Sequence, residues 1–256
     1  IAILRDWNNG VSSQGPQGGG RIMKMMSLNE VVLTYPQSRY ERTKKIQPSK
    51  IGPVTVDFFD SEVVGIIGRN GAGKSTLLRL IGGVFPPDDG SIKSRGVVSL
   101  LAGVGVGFSK NLTGLENTYL YASLMGWKKK QIDEKIDDIL EFSELDHHFF
   151  RPIRTYSSGM KARLGISVAT AFRPDVLLVD EVLGVGDASF RKKSEKRVRE
   201  MIDGSGTVII VSHSQGLMME ICDRIILMEE GRILAIGEPK EIYKQYNSLL
   251  KTDSTK

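Results

Sequence analysis

Residues 62–83 read EVVGIIGRNGAGKSTLLRLIGG. A β-branched run, a glycine-rich turn and an apolar stretch follow one another, which predicts a buried strand, a loop and a helix. The turn, Gly68-Arg69-Asn70-Gly71-Ala72-Gly73-Lys74-Ser75 and then Thr76, satisfies G-x-x-x-x-G-K-[ST] in the setting that gives the pattern meaning. Its glycines let backbone N–H groups curl round a polyphosphate, and the start of the helix adds a favourable dipole. Lys74 in such a loop reaches the β- and γ-phosphates, and Ser75 is placed to ligate Mg²⁺.

Two further apolar runs end in polar groups. VLLVDE, residues 176–181, reads as a buried strand whose carboxyl end carries Asp180, to help hold Mg²⁺, and Glu181, to polarise an attacking water. A strand ending in Asp-Glu is common, so this reading depends on Lys74 standing 106 positions upstream (180 − 74). TVIIVSH, residues 207–213, brings His213 to the same expected sheet edge, within reach of a γ-phosphate. A lone histidine is by default a cap or core group; three strands converging on one edge reverse that preference. His147 and His148 have no partner at metal-ligand spacing and read as surface residues.

Outward from these runs, LNEVVLTY (28–35) predicts a strand, the basic segment 36–50 an exposed loop, and VTVDFF (54–59) another strand. PPDDG at 86–90 marks a turn, and SIKSRGVVSLLAG (91–103) reads as edge or hairpin strand. Thr113 and Glu116 have capping-box spacing and open a helix to about Met125. Within 128–145, Ile132, Ile136, Ile139 and Leu140 share one helical face. FRKKSEKRVREMI (190–202) predicts a charged helix with few apolar contacts, and RIILMEEGRILAI (224–236) two strands about a Glu-Gly turn. The alternation argues an α/β fold with a mostly parallel sheet and an inserted helical block at about 112–173.

The 256 residues are 40% apolar and 25% charged, an ordinary globular composition, and the net charge of +5 is a modest excess of 35 basic over 30 acidic side chains. The longest clean apolar stretches, VVGII and TVIIV, fall far short of the ~18 residues a spanning helix needs. The single cysteine, Cys222, excludes an intrachain disulfide and reads as a small core group. The Gly/Ser/Gln-rich lead-in, residues 1–26, is expected to be disordered or non-native, with Met23, Met25 or Met26 as the start; the domain runs 27–250 and the tail 251–256.

TYSSGMKARL, residues 155–164, has no acid, histidine or cysteine. It reads as a helix start at which Ser157 offers a hydroxyl and the following N–H groups face an anion, with Lys161 and Arg163 adding positive charge. Read as a plain helix cap, Ser157 or Ser158 needs no such partner. The order of phosphate loop, helical block, this segment, Asp-Glu, GVGD and histidine resembles the nucleotide-binding subunits of ABC transporters. There the segment usually reads Leu-Ser-Gly-Gly-Gln, and Tyr156, Ser157, Ser158, Gly159 and Met160 stand in its place. GRNGAGKSTLLRLIGG, LTGLEN, TYSSGMKARLGIS and VDEVLGVGDASF are similar to the branch that exports polysaccharides and polyol phosphates: capsule, O-antigen and teichoic acid.

The resemblance, which covers residues 27–245, implies a P-loop NTPase core with an antiparallel β subdomain and an inserted α-helical subdomain. It also implies ATP and Mg²⁺ as cofactors, a homodimer in which Ser157–Met160 face the ATP of the second copy, and separate integral-membrane permease subunits. Tyr35 becomes the aromatic that stacks on adenine, Asp187 lines the dimer seam, and the chain sits on the cytoplasmic face of the inner membrane without touching nucleic acid. The chain departs from the pattern in having no Gln from 48 to 130, where most members place one that touches Mg²⁺; Ser109 stands nearest. Rival readings are an ATPase of another ABC transporter class, which generally keeps that Gln and Leu-Ser-Gly-Gly-Gln, or a soluble ABC-type ATPase on nucleic acid or ribosomes. The latter class carries long coiled coils or paired domains, for which residues 74–180 show no sustained heptads.

Overall fold

The computed structural model describes residues 23–37, 43–44, 48–101, 107–180, 188–204 and 206–253; the lead-in to residue 22, Glu181, Asp187 and residues 254–256 lie outside them. The chain runs β1 (Lys24–Thr34), β2 (Lys50–Phe59), β3 (Val63–Gly68), α1 (Lys74–Ile81), β4 (Asp89–Ser94) and β5 (Val98–Leu101). Helices α2 (Gly114–Leu124), α3 (Lys129–Asp133), α4 (Ile136–Ser143) and α5 (Ser158–Thr170) follow, then β6 (Val176–Asp180) and α6 (Ala188–Asp203). The remainder is β7 (Thr207–Val211), α7 (Gln215–Ile221), β8 (Arg224–Glu229), β9 (Arg232–Gly237) and α8 (Pro239–Asp253). Two compact units result, one from the residues up to Gly96 with those from Thr207 on, the other from Val97–Gly206.

In the first unit β3 pairs in parallel with β7 on one side and β8 on the other, and β9 returns antiparallel to β8. Every residue of β7 is buried, as are Val64–Gly68 of β3, which is why these strands read as unbroken apolar runs. Gly65 lets α7 approach closely: a Cβ there would lie 2.5 Å from Met218 Cε and 3.0 Å from Cys222 Sγ, so the helix side chains rest directly on the strand. The β8–β9 connection places Glu230 at φ 45° and Gly231 at φ 78°, the two left-handed residues of a tight hairpin whose twist matches its strands.

A separate antiparallel sheet has the order β2-β1-β4. β1 starts at Lys24, before the expected position near Ser27, and Met26 is completely buried. β2 likewise begins at Lys50 and contains Pro53, which is tolerated because β2 is an edge strand. Of the edge and hairpin readings for the stretch from residue 91 on, the edge one holds: β4 ends this sheet, whereas β5 pairs in parallel with β6 in the second unit, and Gly96 at φ 71° turns the chain between them.

The second unit is mainly helical. Thr113 caps α2 and Glu116 reaches back to it, as the spacing predicted. The expected single helix across 128–145 is broken into α3 and α4, with Lys135 at φ −110° between them. The break still lets Ile132 and Ile139 bury completely, in a cluster with Phe149, Ile153, Tyr156 and Leu164. Helix α6 is less polar in its contacts than its sequence suggests. Phe190, Val198, Met201 and Ile202 are buried, and Arg197 and Lys193 lie 4.2 and 4.8 Å from the Phe142 ring.

Two side chains here make measurable predictions. The Lys193 ammonium, and then the Arg163 guanidinium, hold the Glu144 carboxyl below its ordinary range. A depressed folded-state pKa contributes stability that is present above the unfolded value and is lost as pH falls through the folded one. Glu144→Gln is therefore expected to lower the urea midpoint at pH 7 and to lose that deficit as the pH falls below about 4. Because the carboxylate is 46% exposed, the effect is worth no more than about 1 kcal/mol and shrinks in high salt. Burial, with Asp223 adding to it, pushes the Cys222 thiol up to about 12. Alkylation at pH 8 should be slower in the native protein than in urea by a factor on the order of a hundred to a thousand, from thiolate fraction alone, as thiol titration would show.

Candidate functional site

The loop after β3 is closed on itself and braced from below. Ala72 donates its N–H to the Arg69 carbonyl at 3.1 Å, and the Lys74 ammonium donates to the carbonyls of Gly68 and Arg69, both at 2.9 Å. Lys74 is only 8% exposed, so this charge is held inside the loop. Gly68, at φ 152°, has no alternative: a Cβ would stand 2.1 Å from the Met228 carbonyl oxygen. The β8–β9 turn supports the other side, where Gly231 donates to the Ala72 carbonyl at 3.0 Å and receives the Gly52 N–H at 2.7 Å. Outward, the position a Cβ would take at Gly71 has no atom within 4 Å. With no acidic residue in the first turn of α1, this is a positively poised, open-sided backbone cradle suited to a phosphate group.

Three more predicted residues belong to this unit. Tyr35 donates its amide to the Ser49 carbonyl at 2.9 Å, and its hydroxyl bonds the Thr76 hydroxyl at the start of α1. Tyr35 is 36% exposed, an aromatic residue tethered beside the loop. Ser75 is half-buried one residue into the same helix. His213 follows β7; since Ile66 pairs with Val211, Gly68 and His213 each lie two residues farther along parallel strands, at one sheet edge.

The other predicted groups lie in the second unit. Asp180 ends β6 and is 9% exposed. Ser157 is the cap of α5, accepting the Met160 N–H at 3.2 Å, so the plain cap reading of this serine is correct as far as the chain itself goes. Ser157 and Ser158 remain exposed, and a Cβ at Gly159 would meet only Ser157 Oγ, at 3.8 Å. Of the two basic residues expected to add charge here, Arg163 is otherwise engaged: it pairs with Glu144 and its guanidinium lies 4.7 Å from the Phe190 ring.

The flanking residues gain physical reasons the sequence did not offer. Tyr156 is buried, and its hydroxyl donates to the His148 carbonyl at 2.7 Å; burial pushes that phenol up to about 12. Met160 packs on the same apolar cluster, so both hold the start of α5 in place. Ser109 donates its amide to Asn117 Oδ1 at 2.7 Å. Asn117 was not singled out in the sequence. It is completely buried and returns its side-chain N–H groups to the carbonyls of Ser109, Leu112 and Thr113 at 3.1, 3.1 and 2.8 Å. Its signal was weak because a polar residue inside a predicted helix usually faces solvent. Among the described residues, no helix is long and apolar enough to cross a membrane.

Residues 51–184 match the family model described as ABC transporter. The chain is 44% identical over 197 residues to the teichoic acids export ATP-binding protein TagH of Enterococcus faecalis, covering 77% of this chain and 44% of that one. It is 42% identical over 214 residues to the O-antigen export system ATP-binding protein RfbB of Klebsiella pneumoniae, covering 82% of this chain and 87% of the relative. It thus spans less than half of the first relative and most of the second. In fold it is similar to the dimeric structure of an ATP-binding cassette in a post-hydrolysis state bound to ADP and Pi, with a TM-score of 0.65 and 21% identity over 84% of this chain and 99% of that one. A braced phosphate loop after a buried parallel strand, a carboxylate at the end of another, and these likenesses lead to one conclusion: the chain belongs to the ABC transporter family.

Proposed function

We propose that this chain is the ATP-binding and ATP-hydrolysing subunit of an exporter for a polysaccharide or polyol-phosphate polymer of the O-antigen, capsule or teichoic-acid kind. The subunit works as a homodimer beneath separate integral-membrane permease subunits, on the cytoplasmic face of the cell membrane. The observation that carries this reading is the helix start at Ser157–Met160, where Ser157 and Ser158 are exposed. A helix N-terminus favours an anion, so this one supports a second phosphate contact besides the loop at Lys74, and its residues resemble the form of the exporter branch. The O-antigen relative supports the choice of cargo, since this chain spans nearly all of it at 42% identity.

Within the subunit, the chain from β1 through α8 acts as the nucleotide-binding domain, with the helical part at about 112–173. Lys74 and the N–H groups of Gly68–Thr76 hold the β- and γ-phosphates, and the Tyr35 ring stacks on adenine. The Ser75 hydroxyl and the Asp180 carboxylate are hard oxygen donors that fit Mg²⁺, which when bound neutralises charge developing on the phosphates. Glu181 takes a proton from the attacking water and His213 orients that water against the γ-phosphate. Ser157, Ser158, Gly159 and Met160 close over the nucleotide of the second copy, and Asp187 lines the seam between copies. ATP-driven closure moves the permease, and hydrolysis resets it.

Glu181→Gln is expected to cut ATP turnover on the order of a hundredfold or more while leaving ATP binding intact. With ATP and magnesium it should elute as a stable dimer in size exclusion with light scattering; a variant that stays monomeric under those conditions would count against the shared-site reading. Tyr35→Ala is expected to weaken ATP binding by about tenfold, the worth of a base stacked on an aromatic ring, whereas Tyr35→Phe retains the ring and most of the affinity. Equal losses from both, measured by fluorescent nucleotide titration, would assign Tyr35 to its hydroxyl contact with Thr76 instead.

A further inference from the structure

The β8–β9 turn touches the phosphate loop at more than its backbone. Arg69, the residue after Gly68, extends its guanidinium to the Glu229 carboxylate at the end of β8, with Nη1 3.7 Å from Oε1. The other carboxylate oxygen, Oε2, is enclosed and has no hydrogen-bond partner among the described residues. An enclosed carboxylate oxygen left without a donor is costly, so the carboxylate depends on the nearby cation for compensation. Arg69 is also the residue whose carbonyl accepts both the Lys74 ammonium at 2.9 Å and the Ala72 N–H at 3.1 Å. Two residues farther along the turn, Gly231 donates to the Ala72 carbonyl at 3.0 Å.

We propose that Glu229 is a positioning residue for the phosphate loop, acting through Arg69. The turn grips the loop at two points, by charge at Arg69 and by a backbone hydrogen bond at Ala72, and the peptide between them is the one that seats Lys74. Glu229 touches no substrate; it fixes the direction of the Arg69 peptide and with it the starting position of the Lys74 ammonium, which must leave the carbonyls of Gly68 and Arg69 to meet phosphate. The pair is partly exposed, so its worth is that of a surface ion pair and is screened by salt.

This inference rests on the reading of the loop as an ATP site, and a double-mutant cycle separates the two. Glu229→Gln, Arg69→Gln and the double variant are compared with the full-length wild type for KM and kcat with magnesium ATP, and for thermal midpoint. Each single variant is expected to raise KM about two- to fivefold, the range an exposed ion pair supports, with kcat changed less and the midpoint held within about 2 °C. The double variant should be no worse than either single, and the difference from wild type should shrink in high salt. KM effects that multiply in the double variant, or no KM effect in either single, would overturn the positioning role while leaving the ATP site standing. A wild type that neither binds nor hydrolyses ATP would overturn both.

Discussion

Everything the first unit can do with a nucleotide depends on keeping a strip of backbone open. A loop of N–H groups binds an anion only if its carbonyls are turned away and its curl is held without the ligand, since the ordering otherwise falls on the binding step. Here the hold comes from distant chain. Met228 abuts Gly68 so closely that no side chain fits, Gly231 bonds Ala72 from beneath, and Gly52 bonds Gly231 in turn. The antiparallel sheet, the β8–β9 hairpin and the loop are thereby linked through short backbone contacts, and the bulky strands behind them supply the stiffness. Fully burying each Val, Ile or Leu side chain of β3, β7 and β8 is worth about 1.5–3 kcal/mol, against at most about 1 kcal/mol for a surface ion pair. Apolar packing sets the frame and polar contacts trim it.

The second unit shows the same division of labour around Ser157. A serine cap on a 13-residue helix is commonplace, and by itself says nothing about a partner. What distinguishes this helix start is the contrast between its parts. Tyr156 is buried in an apolar cluster with Phe149 and Leu164 and the half-buried Met160 packs against that cluster, while Ser157 and Ser158 between them stay exposed. Anchored residues on either side of an exposed pair make a rigid presentation of N–H groups. Two of the residues that set TYSSGM apart from the common form, Tyr156 and Met160, are thus packing residues as much as family marks. Arg163, by contrast, spends its charge on Glu144 and on covering Phe190, which ties α5 to α4 and α6.

Much of this was legible in the sequence, for a reason that differs by residue. The phosphate loop, the Thr113–Glu116 capping box and the Glu-Gly hairpin turn were readable because each is satisfied within a few residues, so spacing alone carries the geometry. The buried strands were readable because both faces are covered and the apolar run is unbroken. What misread was set by partners far along the chain. Residues 91–103 admitted an edge or a hairpin reading, and the hairpin fails: β4 and β5 are edge strands of different sheets, a choice governed by β1 and β6 rather than by the segment. The break between α3 and α4 has the same origin: one periodic pattern fits both a straight helix and two short ones, and the cluster around Phe149 selects the latter.

By itself, then, the sequence determined the chemistry: a glycine loop with Lys74 and Ser75, a strand ending in Asp180, a histidine after β7 and a capped helix start at Ser157, each expressed by backbone and side-chain groups in local register. Only the tertiary structure decided how those groups are held. That Gly68 must yield space to Met228, that the Tyr35 and Thr76 hydroxyls meet across 41 positions, and that buried Asn117 fixes Ser109 are outcomes of packing between segments that no local pattern encodes. Motifs are legible because their hydrogen bonds close over short loops; their supports are not, because close packing is settled only when distant surfaces meet.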